Sequence, residues 1–516
     1  AAPRPAVAAP GDDGAILHLL HRLTFGPRPG DVERVRAVGA PAWIERQLRA
    51  DTIEDAATER ALAELASLRM SIPEALRQYP RPDRELREKL QSGRLTRQEM
   101  MEMYPPERRP FRITAELQAA KTLRAVTSER QLQEVMVDFW FNHFNVFAGK
   151  GDVRWYVSAY EREAIRPHAL GKFKDLVSAT ARHPAMLFYL DNWLSAREDF
   201  AVAEGPGRGR RAGLNENYAR ELMELHTLGV EGGYTQQDVR EVARAFTGWS
   251  IERPRVEGRF VFRAAMHDIG EKVVLGQRIP AFGGERDGER VIEILTRHPS
   301  TARFVAGKLV RRFVADTPPP ALVERVAATY LTTDGDITAM LRTIVASPEF
   351  WSHDARRAKI KTPFEFVTSA TRALGARVDA RGAGELARAS GEIGQPLYQA
   401  QPPTGYKDTA AVWVNTGALL ARMNFALALA SGRYPQVSVD LGALVAGGDR
   451  REPATVLDRL LAALVGQPTR ETRAVLAAEL GNPQITRLTT DDRGPADTDV
   501  AKLAALVIGS PEFQRR

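Results

Sequence analysis

The chain has 516 residues, 72 Lys and Arg against 65 Asp and Glu for a net charge of +7, 44% hydrophobic residues and no cysteine. This length exceeds what one core fills, so two or three packed subdomains are expected, and the lack of cysteine excludes disulfides, thiolate metal sites and a cysteine nucleophile. No apolar run reaches the roughly 20 residues that cross a bilayer, and the cations are arginines spread beside acids, as at Glu59, Arg60 and Glu64, rather than a block suited to nucleic acid.

Apolar residues recur at three- and four-residue spacing between Pro and Gly breaks, which predicts a mainly α, multi-helix globular bundle. Residues 1–14 read as a flexible mature N-terminus: AAPRPAVAAPGDDGA has the small-residue, proline-rich character left by signal-peptide cleavage, and predicts a periplasmic or secreted protein. A helical main domain carrying the candidate cleft is expected over 15–352, and a C-terminal helical subdomain packed on it over 353–516. Within the first, QLQEVMVDFWFNHFNV (Gln131 to Val146) puts Glu134, Asp138, Asn142 and Asn145 on one stripe of a helix, with Met136, Phe139, Trp140 and His143 on the other flank.

The Gly-rich segment Glu204 to Ala212, with Arg208, Arg210 and Arg211, reads as a mobile cationic loop. It precedes the most informative stretch, Leu214 to Trp249. Asn215 is an N-cap and Gly229 a stop, so a helix is predicted over 216–228. At about 100° per residue, Glu216, Asn217, Arg220, Glu221, Glu224 and Thr227 share one face, and Tyr218, Ala219, Leu222, Met223, Leu225 and His226 the other. A solvated face with an Arg220–Glu224 pair is one reading. The other is a cleft in which the like charges of Glu221 and Glu224 raise one pKa and create an acid and a base. His226, among apolar neighbours, reads as a core histidine sooner than a ligand.

Alternating apolar residues around a Gly-containing turn predict a β-hairpin at about 259–276, with His267 and Asp268 presented on the turn and Lys272 nearby as an anion contact. Farther on, KIKTPFEF (Lys359 to Phe366) and Thr404 to Ala426 are expected to expose Tyr406, Trp413 and Asn415 near a Pro/Gly loop, a composition found in carbohydrate platforms and in ordinary helix packing. Asp336 to Phe350 is echoed by Asp499 to Phe513, and Arg-His-Pro recurs at 182–184 and 297–299; both read as helix-end architecture.

Together the segments His18 to Pro27, FWFNHFNV, YLDN (Tyr189 to Asn192), NENYARELMELHTLGV, GYTQQDV, ARAFTGW, HDIGEKVVLG, TARFVAGKLVRRFV, KIKTPFEF and WVNTGALLARMNFA resemble the bacterial domain-of-unknown-function family 1800 over most of the chain. The resemblance implies an exported, mainly helical protein, frequently encoded beside a sulfatase-like or phosphatase-like exported partner, and supplies no activity. Where that family tends to carry a Gly-Trp-Pro-Gly style loop, this chain reads GYKDTAAVW, so any specificity set there differs. The resemblance also favours a functional cleft over a solvated face at Asn215 to Thr227.

The leading expectation is an exported hydrolase or lyase of a polysaccharide, peptidoglycan-like or other anionic polymer, needing no cofactor. Glycosidic cleavage uses two carboxyl groups flanking the bond: Glu221 is expected as base and Glu224 as acid, with Asp138 or Asp191 opposite and His267 assisting proton transfer. Asn215, Asn217, Arg220, Asn145, Asp191, Asp268, Tyr406 and Trp413 are the candidate substrate contacts. One alternative is a metal-dependent enzyme, perhaps an oxidoreductase, with a divalent ion on Glu221, Glu224, His226 and His267, although Glu224 and His226 are two apart rather than in a Glu-x-x-His spacing. Another is a binding or scaffold partner of an exported sulfatase-like protein.

Overall fold

Side-chain caps written in the sequence set many of the helix starts. Asp12, Ser71, Thr235, Asp336, Thr362, Asp379, Asn415 and Asp499 each accept a hydrogen bond from a backbone N–H of the first turn, and Thr235 with Asp238 and Thr362 with Glu365 form complete capping boxes. The computed structural model describes residues 11–81, 83–201, 213–481 and 498–516. The chain is mainly helical, and among the described residues the strands form three two-stranded antiparallel sheets. No helix of the described residues is long and apolar enough to cross a membrane.

Of the stretch expected as a flexible lead, Asp13 and Gly14 are instead helical, because Asp12 caps a helix over Asp13–Leu23; residues 1–10 and the Arg208–Arg211 segment lie outside the described residues. Both sequence echoes are helix ends. Asp336 and Asp499 cap Ile337–Val345 and Val500–Gly509, after which Ser347 and Ser510 accept from the N–H of Phe350 and Phe513. His183 and His298 cap Pro184–Tyr189 and Pro299–Phe313 through Nδ1.

The predicted pairing across 259–276 is not the one that forms. Strand β1 (Trp249–Glu252) pairs with β2 (Arg259–Phe262), and β3 (Lys272–Val274) pairs with β4 (Gln277–Ile279); β5 (Arg377–Val378) meets β6 (Val437–Ser438). The reason is local. Leu275 and Gly276 both have positive φ, 48° and 74°, and form the two-residue turn that best matches strand twist, so β3 folds onto the residues after it. β2 meanwhile finds the earlier strand, whose Trp249 and Ile251 are buried.

Among the described residues, two large apolar cores and a small third cluster around Leu62, Leu65, Ala120 and Leu123 organise the fold. One large core runs from Ile16 to Tyr398 in sequence and includes Trp140, Phe144, Phe173, Tyr218 and Leu309; the other large core includes Phe366, Leu386, Phe425, Leu460, Leu503 and Phe513. The Pro363–Ala373 helix belongs to both. Every one of its residues is buried, Phe364 toward the first core and Phe366, Val367 and Ala370 toward the second. Thr362, which caps this helix, and Glu365 in its first turn line the cavity described below.

Candidate functional site

The predicted helix is present as Asn217–Glu221 followed without a break by a π-helical stretch, Leu222–Thr227. Asn215 accepts from the N–H of Asn217 at 2.9 Å, and Gly229 ends the segment with φ +82°. Tyr218, Ala219, Leu222, Met223 and His226 are buried while Glu216, Asn217, Arg220, Glu221 and Glu224 keep contact with solvent. Thr227 departs from the predicted polar face: the wider π turn rotates it inward, where it is fully buried and its hydroxyl donates to the carbonyl of Leu222 at 2.6 Å. Arg220 pairs with Glu216 at 3.2 Å and donates to Gln236, not to Glu224.

Glu221 and Glu224 lie within electrostatic reach of each other. Burial and the neighbouring Glu224 carboxylate raise the pKa of Glu221, against a smaller opposing pull from Arg220. The Tyr234 hydroxyl donates to Glu224 Oε2 at 3.4 Å. Tyr189 lies close by; burial first, then the Glu221 carboxylate, push its hydroxyl up. The raised proton affinity thus lies on Glu221, the residue expected as the base.

The polar stripe of the Gln131–His143 helix does not face this pair. Each of its residues is engaged elsewhere. Glu134 takes both guanidinium nitrogens of Arg166 at 2.7 and 3.0 Å, and Asp138 pairs with Lys121 at 2.6 Å. Asn142 clamps Tyr406 through both its carbonyl and its N–H, at 2.8 and 2.7 Å, and Asn145 donates to the carbonyls of Ala400 and Pro402, both at 3.0 Å. Asn145 is therefore buried and holds a loop, and its amide donors are not available to a substrate. Gly405 sits so tightly under this clamp, at φ +64°, that a Cβ would come within 2.4 Å of the Asn142 carbonyl.

The two helices meet instead through the opposite flank. His143 Nε2 lies 3.0 Å from the carbonyl of His226, Lys308 Nζ 3.0 Å from His143 Nδ1, and the two imidazoles are 6.1 Å apart. Burial, then the Lys308 charge, lowers the pKa of both histidines, His226 to about 3. Burial likewise lowers Lys308 to about 8. This trio was not legible in the sequence, where His143 and His226 lie 83 positions apart and Lys308 in a third helix.

What the 131–143 stripe does line is a cavity of about 60 Å³ closed by the Lys359–Phe366 segment and the 404–413 loop. Asp138, Asn145, Tyr406 and Trp413 share it with Lys121, Arg312, Glu365, Lys407 and Asp408. The aromatic pair is not the exposed platform expected. Trp413 is buried with its N–H donating to the Lys407 carbonyl, and the Tyr406 hydroxyl, pushed up to about 12 by burial, donates to the Pro396 carbonyl at 2.6 Å. Asn415 caps Thr416–Ala430. The 400–406 loop joins the two places: its start accepts from Asn145 and from Tyr189, beside Glu221, and its end walls the cavity.

His267 and Asp268 lie apart from both. His267 is 2% exposed, Nδ1 2.8 Å from the Thr247 carbonyl and Nε2 3.1 Å from Asp287, so neither nitrogen is presented at a rim. Lys272, expected to contact an anionic ligand, is fully buried and donates to Asp287 at 2.7 Å and to the carbonyls of Asp268 and Gly270. Asp268 takes Arg244 bidentately at 2.9 and 3.0 Å; burial alone would raise its pKa, but these bonds outweigh it and hold it below the ordinary value. Asp191, in a left-handed conformation at φ 59°, pairs with Lys150 at 2.8 Å, and its carbonyl and that of Leu190 accept from the amides of Asn215 and Asn217. These contacts fix the start of the Glu221 helix. Among the described residues, no three His, Asp or Glu side chains converge as metal ligands. Glu221, Glu224, His226 and His267 in particular are not gathered: His226 lies in the His143 core contact and His267 on Asp287.

The fold and this site define a class: a helical protein of two large cores and a small third cluster, with an acidic pair on one helix and a charged cavity beside the helix that the large cores share. The chain belongs to the family described as protein of unknown function DUF1800, which matches residues 18–515. No curated protein and no solved structure matches it.

Proposed function

We propose that the protein is an exported hydrolase or lyase that cleaves a polysaccharide or peptidoglycan-like polymer by carboxylate acid/base chemistry, with Glu221 as proton donor and Glu224 as its partner. The observation that carries this reading is the raised proton affinity of Glu221 beside Glu224, on a face still open to solvent. Side chains three apart on a helix stand about 5–6 Å from each other at Cβ, within the roughly 5–10 Å over which two carboxyl groups flank a glycosidic bond. Glu221 would stay protonated at a pH where an ordinary glutamic acid is ionised, and so hold a proton for the leaving oxygen. Tyr234 orients Glu224. Arg220, tied to Glu216 and Gln236, would steer an anionic sugar toward the pair.

The test is a panel of acidic and neutral polysaccharides, scored for new reducing ends and for the ultraviolet absorbance of an unsaturated product, which separates hydrolysis from elimination. Glu221→Gln should lose about 10²- to 10⁴-fold in turnover with folding unchanged. A Glu221→Gln variant that cleaves as fast as the parent chain would sink the assignment.

A further inference from the structure

Behind the cavity lies a concentration of buried positive charge. Arg22, Arg312, Lys359, Lys361, Arg422 and Arg516 are each at most 5% exposed. Glu365 is the carboxylate buried among them, while Asp316 and Asp408 reach Lys359 from less buried positions, at 2.7 and 3.1 Å. Asp138 on the cavity wall also acts on Arg312, so six cations stand against four carboxylates, an excess of two. Arg312 and Arg516 share a single acceptor oxygen, Glu365 Oε1, with Arg516 at 3.1 Å, and the other oxygen of Glu365 accepts from the Thr362 N–H at 2.9 Å.

Donors are left over. Nε and Nη1 of Arg516, Nε and Nη1 of Arg22, Nε of Arg422 and Nζ of Lys361, which stands 3.9 Å over the Phe513 ring, meet no acceptor. Buried N–H donors are almost always satisfied, and a buried charge without a counter-charge costs several kcal/mol. Arg22 and Arg516 lie within electrostatic reach of Arg312, Glu365 and Asp408, the three residues that bring this cluster to the cavity wall. The cavity volume, about 60 Å³, suits a few waters or one small anionic group, since roughly 10–15 Å³ on this measure holds one water.

We propose that the cavity binds an oxyanion, a carboxylate, sulfate or phosphate group, seated on Arg312 with Arg22 and Arg516 behind it and Lys407 on the rim. The guanidinium fork matches the paired oxygens of such groups, and the ligand's negative charge offsets the excess that Glu365 leaves. This site is separate from the Glu221–Glu224 chemistry and does not depend on it.

Calorimetric titration of the full chain with sulfate, phosphate and acetate, against chloride at matched ionic strength, is the direct test, with glucuronate and a glucose sulfate as sugar-borne forms of the same groups. Saturable one-to-one binding of an oxyanion, absent for chloride, is expected. It should weaken about tenfold or more in Arg312→Met and severalfold in Lys407→Met, the latter an exposed position whose change leaves folding intact. Binding of inorganic ions alone identifies a free anion as the ligand, and binding of the sugar-borne forms identifies an acidic carbohydrate; either supports the site. No saturable heat with any of them, or affinity unchanged in Lys407→Met, overturns it.

Discussion

Glu221 and Glu365 are the same side chain placed in opposite company. Glu221 lies half-buried beside a second carboxylate, and burial with that neighbour raises its pKa. Glu365 is more deeply buried, which alone would raise it further, yet Arg312 and Arg516 hold it far below the ordinary glutamate value. Depth of burial therefore does not decide protonation here; the sign of the nearest charge does. The acidic pair favours a bound proton on Glu221, and the cationic cluster favours an ionised Glu365.

The comparison breaks most visibly at Glu365. Glu365→Gln removes the one buried counter-charge of Arg312 and Arg516, and should destabilise the fold by about 3–5 kcal/mol, read by denaturant unfolding. Because the folded pKa is depressed, this contribution is present above the ordinary glutamate range near 4.5 and is lost as pH falls toward the folded value. The acid limb of the parent chain's stability profile should flatten in the variant. An oxyanion at saturating concentration should recover part of the loss if it supplies the missing charge.

Asp287→Asn, which strips a buried carboxylate from both His267 and Lys272, should cost a similar amount, about 3 kcal/mol, and leave any turnover of the folded fraction intact. Loss of turnover in well-folded protein would instead return His267 to the chemistry. Asn145→Ala removes two hydrogen bonds to loop carbonyls and should cost about 2 kcal/mol, with faster amide exchange or proteolysis over residues 400–406 as its local signature.

Lys308 sharpens the contrast on the basic side. Its folded pKa, about 8 against an ordinary 10.5, means that the folded state sheds a proton which the unfolded chain keeps. Stability should rise as pH increases between those values, by about 1 kcal/mol for a side chain that retains some solvent contact, and Lys308→Met should abolish that rise. The smallest effect belongs to Glu221→Gln, which relieves carboxylate repulsion and should raise Tm at neutral pH by about a degree, opposite in sign to Glu365→Gln.

Much of this was legible in the sequence. The helix starts follow from Asp, Ser, Thr and Asn at the caps, the Asn215 to Gly229 segment from its own start and stop residues, and the family from motifs spread over nearly the whole chain. Glu221 and Glu224 were close because three residues on a helix are always close. The partners of polar residues were not legible. A carboxylate stripe on the Gln131–His143 helix looks the same in sequence whether it faces water, a cleft, or, as here, Arg166, Lys121 and a returning loop.

What the sequence determined by itself was therefore everything set by local spacing: a mainly helical chain, its caps and turns, and the adjacency of the acidic pair. Tertiary structure alone decided the burial of Thr227 and the withdrawal of His267 onto Asp287. It also gathered Arg22, Arg312, Glu365 and Arg516 from four distant segments into one charged cluster. The physical reason is range. Backbone caps and helical periodicity act over a few residues, whereas the charge that sets a pKa, and the donor that goes unmet, depend on whichever part of the chain folding brings within a few ångströms.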